Sequence, residues 1–135
     1  MDDLLVYVWV AIGGALGSVA RFALSNAMVL LAGPGFPYGT LLINVSGSFV
    51  ISFFGALTAM DARWPLSFEA RAFVTVGVCG GFTTFSSFSL QTVDLIKHGA
   101  TGRAIIYAAL SVILCLLACA LGYLAANAVN GAHKA

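Results

Sequence analysis

The sequence predicts an all-α membrane protein with four transmembrane helices, and three observations carry that prediction. Of its 135 residues, 61% are hydrophobic and only 8% are charged, with a mean hydropathy of +1.02; soluble domains carry about a quarter charged residues. Four apolar stretches each reach the roughly 20 residues needed to cross a bilayer. Clusters of breakers or charges separate them, so residues 1–135 read as one transmembrane domain.

The first span covers approximately residues 4–31 and ends in Gly33-Pro34-Gly35-Phe36-Pro37, a strong breaker cluster. Met1-Asp2-Asp3 ahead of it carries no positive side chain, so the run reads as a retained span and not a cleaved signal peptide. Gly13 and Gly17 form a GxxxG pair, with Gly14 and Ser18 beside them. Such residues let helices approach closely in lipid, either within one subunit or between two.

The second span covers approximately residues 39–60 and stops at Asp61-Ala62-Arg63-Trp64-Pro65. Thr40, Asn44, Ser48 and Ser52 recur every four residues, which places them in one stripe on a helix. Asn44 is the most demanding member, because a buried amide must satisfy both donors and acceptors. It fits an interhelical hydrogen bond or a polar lining.

The third span, approximately residues 67–98, is too long for one straight crossing and is expected to be interrupted near Gly80-Gly81, with the break lying within Gly80–Thr83. The stretch GVCGGFTTFSSFS, residues 77–89, puts glycines, hydroxyls and phenylalanines into an otherwise apolar run. Unwound backbone is tolerated at membrane depth only where protein encloses it or water or an ion meets it. Freed carbonyls there make a cation site; the competing reading is a close helix crossing without unwinding. Beyond the break, Phe85 and Phe88 share a helix face, next to a polar face of Thr84, Ser87 and Gln91. Phenylalanines at such spacing usually face lipid or core, yet ring edges carry positive potential and attract anions.

The fourth span covers approximately residues 101–129, where Tyr107, Ser111, Cys115 and Cys119 form a second stripe. Tyr107 also suits an interfacial belt, and Ser111 a bond back to its own helix. Four spans leave both termini on one side. Arg63, Arg71 and Lys134 then oppose Arg21, Lys97 and Arg103, a balance of three against three that specifies no single orientation. Either the chain inserts both ways or another signal decides.

The charge inventory excludes several functions. A net charge of +1 gives no basic field for nucleic acid. The carboxylates Asp2, Asp3, Asp61, Glu69 and Asp94 lie at or near span ends, and His98 and His133 lie outside the spans. That leaves no mid-membrane group for proton coupling or hydrolysis, so an enzyme is not expected. Cys79, Cys115 and Cys119 match no zinc or redox spacing and read as small buried hydrophobes. From the residues alone, the polar stripes favour a desolvated anion. A proton-coupled four-span exporter would need a mid-membrane carboxylate, and a non-conducting assembly subunit would use the glycines and phenylalanines only for packing.

Three motifs in order also carry a resemblance. GGALGSVARF at residues 13–22, GTLLINVSGSF at residues 39–49 and GVCGGFTTFSSFS resemble the signatures of the small dimeric fluoride channels, the Fluc or CrcB family. The resemblance covers nearly the whole chain. It implies an antiparallel, dual-topology homodimer with four spans per subunit and two fluoride pores. The activity implied is passive export of fluoride across a prokaryotic inner or plasma membrane, relieving fluoride toxicity. Carried onto this sequence, Phe85 and Phe88 would flank fluoride, with Asn44 donating its amide. Ser86, Ser87, Tyr107 and Ser111 would lie along the path, and Thr40 by a vestibule toward which Arg21 draws anions. The backbone carbonyls of Gly80 and Thr83, two per subunit, would hold one structural sodium ion at the dimer centre. Many relatives carry a glutamate where this chain has Gln91, so a role needing a carboxylate there is not expected.

Overall fold

A computed structural model describes residues 2–131, and every described regular element is helical. His133 and Lys134, the latter part of the charge balance, lie outside the described residues. The helices are α1 (Asp2–Ala32), α2 (Tyr38–Leu57), α3 (Phe68–Ala72), α4 (Gly80–Phe82), α5 (Phe85–Lys97) and α6 (Thr101–Gly131), with a π-helical segment (Phe73–Cys79) joining α3 to α4. Four stretches are long and apolar enough to cross a membrane: Leu4–Ala32, Tyr38–Leu57, Phe68–Lys97 and Thr101–Gly131.

Local chemistry sets the ends. Gly33 and Gly99 both adopt φ of +76°, which lets the chain leave α1 and α5 through left-handed turns that few other residues accept. The second helix stops at Leu57, earlier than the expected residue 60. There the Thr58 hydroxyl donates back to the Phe54 carbonyl at 2.8 Å, and the chain turns. Asn130 holds that turn to the far end of α6: its Oδ1 accepts from the Arg63 amide at 3.1 Å, and its Nδ2 donates to the Ala56 carbonyl at 3.2 Å. Ser67 caps α3 by accepting from the Ala70 amide at 3.3 Å.

Packing follows small residues. The most extensive contact runs between α2 and α6, where Ala104, Tyr107, Ser111, Ala118, Gly122 and Ala126 turn one face inward against Ile43 and its neighbours. A Cβ on Gly122 would stand against the Phe49 carbonyl, so only glycine permits this approach. The rest of the surface is largely leucine, isoleucine, valine and phenylalanine. In lipid that surface costs nothing to expose, and van der Waals fit between helices replaces hydrophobic burial as the driving force.

Gly13 and Gly17 resolve in favour of packing within the chain. They face Gly77 and Gly81 of the third crossing so closely that added Cβ atoms would overlap backbone: Gly13 against the Phe73 carbonyl, Gly17 against the Val78 carbonyl, Gly81 against the Gly14 carbonyl. The helix continues through this contact: Gly80 has φ of −64° and ψ of −39°, and both glycines of the pair lie in α4. The extended residues are Thr83 and Thr84, with ψ of 159° and 119°. The interruption therefore lies at Thr83-Thr84, at the far end of the expected Gly80–Thr83 stretch and two to three positions beyond the Gly80-Gly81 pair, of which Gly81 serves the close approach to α1.

Adjacent positions on α1 separate packing from propensity. Gly13→Ala should cost about 1–3 kcal/mol through backbone overlap. Gly14→Ala, whose Cβ would meet nothing nearer than the Gly77 carbonyl oxygen at 4.0 Å, should not destabilise at all. Unfolding in detergent by titrated sodium dodecyl sulfate reads both.

Candidate functional site

The site is built around the two residues between α4 and α5. The Thr84 amide donates to Asn44 Oδ1 at 2.8 Å, and Asn44 Nδ2 donates to the Thr84 carbonyl at 2.9 Å. One side-chain amide of α2 thus takes the place that a neighbouring backbone would fill. The Thr84 hydroxyl caps α5, accepting from the Ser87 amide at 3.2 Å. It also lies 3.1 Å from the Ser87 hydroxyl and 3.2 Å from that of Ser86.

These bonds divert two amides. In a continuous helix Thr84 N–H would serve the Gly80 carbonyl and Ser87 N–H the Thr83 carbonyl. The last bond of the upper segment is Thr83 N–H to the Cys79 carbonyl at 2.9 Å. The carbonyls of Gly80 and Thr83 therefore lose their helical donors, and no other described group replaces them. Both residues line one open cleft of about 580 Å³, walled by Asn44, Gly47 and Ser48 of α2, Thr84, Phe85 and Phe88, and Ser111 and Cys115 of α6. No charged side chain lines it.

Ser111 is buried, and its Oγ has no hydrogen-bond partner among the described residues, so it does not bond back to its own helix. Ser48 does, donating to the Asn44 carbonyl at 2.7 Å. Asn44 retains one amide N–H beyond its bond to Thr84. Phe85 is 77% exposed, and its ring centroid lies 5.3 Å from that of Phe88.

Phe88 in turn lies 5.2 Å from Tyr107, which meets Phe36 edge-on at 5.5 Å. Tyr107 is fully buried and so does not stand in an interfacial belt. Its hydroxyl donates to Gln91 Oε1 at 2.9 Å. On the far side of this aromatic wall lies a second cleft of about 480 Å³, lined by Tyr38, Thr40, Gln91, Asp94, His98 and Arg103 among others.

The structure thus brings Asn44, Phe85, Phe88, Ser111, Gly80 and Thr83 to one cleft and Thr40 to the other, with Tyr107 and Gln91 between them. Ser86 and Ser87 sit at the α5 cap beside the first cleft without lining it. Arg21 lines neither cleft; Arg103 is the arginine at the second, donating to the Gly35 carbonyl at 3.3 Å. Sequence reasoning left Thr84 out of the site, although a threonine preceding a hydroxyl-rich helical start is a recognisable cap signal. Phe36 carried no such signal, since a loop phenylalanine names its partner only in three dimensions.

The family described as CrcB-like protein, Camphor Resistance (CrcB), matches residues 8–123. A protein of Methylocella silvestris named fluoride-specific ion channel FluC is 53% identical over 124 residues, covering 92% of this chain and 95% of that one. A protein of the same name from Gluconobacter oxydans is 54% identical over 122 residues, 90% and 84% of the two chains. One from Opitutus terrae is 52% identical over 125 residues, 93% and 95%.

The Asn44–Thr84 pairing makes a direct prediction. Asn44→Ala strands the buried Thr84 N–H, an unmet group that costs about 1–3 kcal/mol, while the Thr84 carbonyl, as the N-cap of α5, keeps the first bond of that helix. Hydrogen exchange at the Thr84 amide should accelerate strongly, while amides of the α2–α6 contact keep their protection. Equal acceleration throughout would mean that the pairing is not local.

Proposed function

The chain belongs to the CrcB-like family, and from that premise we propose that it is a fluoride-selective channel that lets the ion leave the cell passively, relieving fluoride toxicity. It is a multi-pass membrane protein and not an enzyme, as the channel names of its relatives and its four apolar crossings agree. The proposed location is a prokaryotic inner or plasma membrane.

The observation that carries the reading is the uncharged, donor-bearing cleft. Fluoride is small and strongly hydrated, so removing its water without replacement costs on the order of tens of kcal/mol. The free N–H of Asn44, the orphan hydroxyl of Ser111 and the rims of Phe85 and Phe88 can share that cost. Ser86 and Ser87 extend the hydroxyl supply at the α5 cap, and Tyr107, held by Gln91, orients Phe88 from the other side. Thr40 with Arg103, and Arg21 further along α1, would serve the approach. Narrowness and donor placement would then reject larger anions. A proton-coupled exporter is disfavoured, because no carboxylate lines the cleft.

A cleft open on one side does not enclose an ion, which supports closure by a second copy. An antiparallel homodimer fits the balanced positive residues, since it requires both orientations, and would create two pores. The freed carbonyls of Gly80 and Thr83 are hard oxygen donors of the kind a sodium ion takes. Two from each copy would hold one such ion. Bound there, it would compensate the carbonyl dipoles and raise the potential for anions nearby.

Liposomes loaded with fluoride and read by a fluoride electrode test the function. Purified protein should give rapid, potential-driven efflux without any pH gradient, and Phe88→Ile should lose most of it while remaining dimeric. Efflux that requires a pH gradient sinks the channel reading, and efflux no faster than from empty liposomes sinks conduction altogether. A reporter fused to the C-terminus should show both orientations in one membrane; a single orientation would contradict the antiparallel dimer.

A further inference from the structure

Phe36 is the ring of the aromatic wall that does not sit on a helix. Tyr107 belongs to α6, and Phe85 and Phe88 to α5, whereas Phe36 lies in the bend between α1 and α2. The bend is nevertheless fastened. Gly33 turns it with φ of +76°, the Tyr38 amide donates to the Phe36 carbonyl at 2.8 Å, and Arg103 Nη1 donates to the Gly35 carbonyl at 3.3 Å. The Phe36 ring is clasped between Tyr38, at 4.8 Å, and Tyr107, which it meets edge-on at 5.5 Å. Phe36 lines the second cleft and the fully buried Tyr107 does not, so the Phe36 ring closes one side of Tyr107 against that open space.

We propose that Phe36 is a positioning residue of the ion path. It holds Tyr107 in the orientation that keeps both its bond to Gln91 Oε1, at 2.9 Å, and its contact with Phe88, at 5.2 Å. This role rests on the reading that Phe88 flanks fluoride. Without the Phe36 ring, Tyr107 would face a cleft of about 480 Å³ into which it could turn. An edge-on aromatic pair is worth up to about a tenfold factor in the equilibrium between two orientations. Turning would withdraw the hydroxyl from Gln91 and leave Phe88 unsupported on that side. Phe36 does not line the first cleft, so its effect reaches the ion only through Tyr107 and Phe88.

Gln91 is the only glutamine in the chain, so isotopic labelling of glutamine gives one side-chain amide whose resonances report the Tyr107 bond. The test compares wild type, Phe36→Leu (apolar bulk without the ring), Phe36→Tyr (the ring retained), Tyr107→Phe and the double variant Phe36→Leu/Tyr107→Phe. In the purified full-length protein, Phe36→Leu should move the Gln91 amide resonances toward those of Tyr107→Phe, and Phe36→Tyr should leave them as in wild type. Fluoride efflux from liposomes should fall about tenfold in Phe36→Leu and recover in Phe36→Tyr. In the double variant it should fall no further than in Tyr107→Phe alone. A merely structural role would lower efflux additively and leave Gln91 unmoved, and either result overturns the proposal. Undiminished efflux in Phe36→Leu overturns it as well. Absence of efflux already in wild type overturns the channel reading instead, and the Gln91 resonances then decide by themselves whether Phe36 positions Tyr107.

Discussion

The pairing of the Asn44 carboxamide with the Thr84 backbone is the interaction on which the rest of the site depends. A helix passing residue 84 would keep its carbonyls satisfied and its hydroxyls bonded along its own axis. Asn44 captures the Thr84 amide instead, at 2.8 Å, and returns a donor to the Thr84 carbonyl. Because both halves of the amide are used on one residue, the exchange is nearly neutral in hydrogen bonds. The pairing therefore spares Thr84 the several kcal/mol that its own unmet backbone groups would cost in lipid. The Thr84 side chain then restarts the helix by taking the Ser87 amide. The carbonyls of Gly80 and Thr83 are among those left without a helical donor, and both residues line the same cleft as the phenylalanines of the restarted helix.

Much of this architecture was legible in the sequence, for a physical reason. Lipid demands long apolar helices, so crossings announce themselves by composition, and polar residues at depth stand out against that background. The stripe through Asn44 and the pair Phe85 and Phe88 were visible on those grounds. The position of the interruption was not. Glycine serves both unwinding and close approach, and the sequence does not distinguish them. Here Gly81 lies against the Gly14 carbonyl, and that contact requires the helix to stay intact. The threonines uncoil because a partner 40 residues away competes for their backbone, and a local window holds no trace of that partner. Tyr107 was hidden likewise: a tyrosine near a span end suits the interface until Phe36, Phe88 and Gln91 are seen to enclose it.

The two clefts are separated by side chains and not by backbone. Phe36, Tyr107, Phe88 and Phe85 form a continuous run of rings with centroid spacings of 5.5, 5.2 and 5.3 Å. The run begins in the loop that Arg103 fastens through the Gly35 carbonyl and ends at the open cleft beside Asn44. The Gln91 amide fixes the middle ring through its hydroxyl. Being neutral, Gln91 accepts from Tyr107 without placing a negative charge beside the ring wall. Charge stays at the second cleft, where Asp94, His98 and Arg103 lie together, and the first cleft is left to weak dipoles.

That division suits a small anion better than a charged wall would. A buried guanidinium facing fluoride would gain several kcal/mol at an effective dielectric of about 20, enough to hold the ion in place. Conduction requires a site favourable enough to enter and weak enough to leave. A hydroxyl, one amide N–H and two ring edges each contribute about 1 kcal/mol net; acting together they offset dehydration in steps without a single deep well. Each donor must nevertheless be available when the ion arrives. Asn44 meets that condition because Thr84 occupies only half of its donor capacity, whereas the unpartnered Ser111 hydroxyl is buried behind the cleft surface. On the proposed reading, the same residue that interrupts the helix would supply the ion with a donor, which would couple the shape of the path to its chemistry.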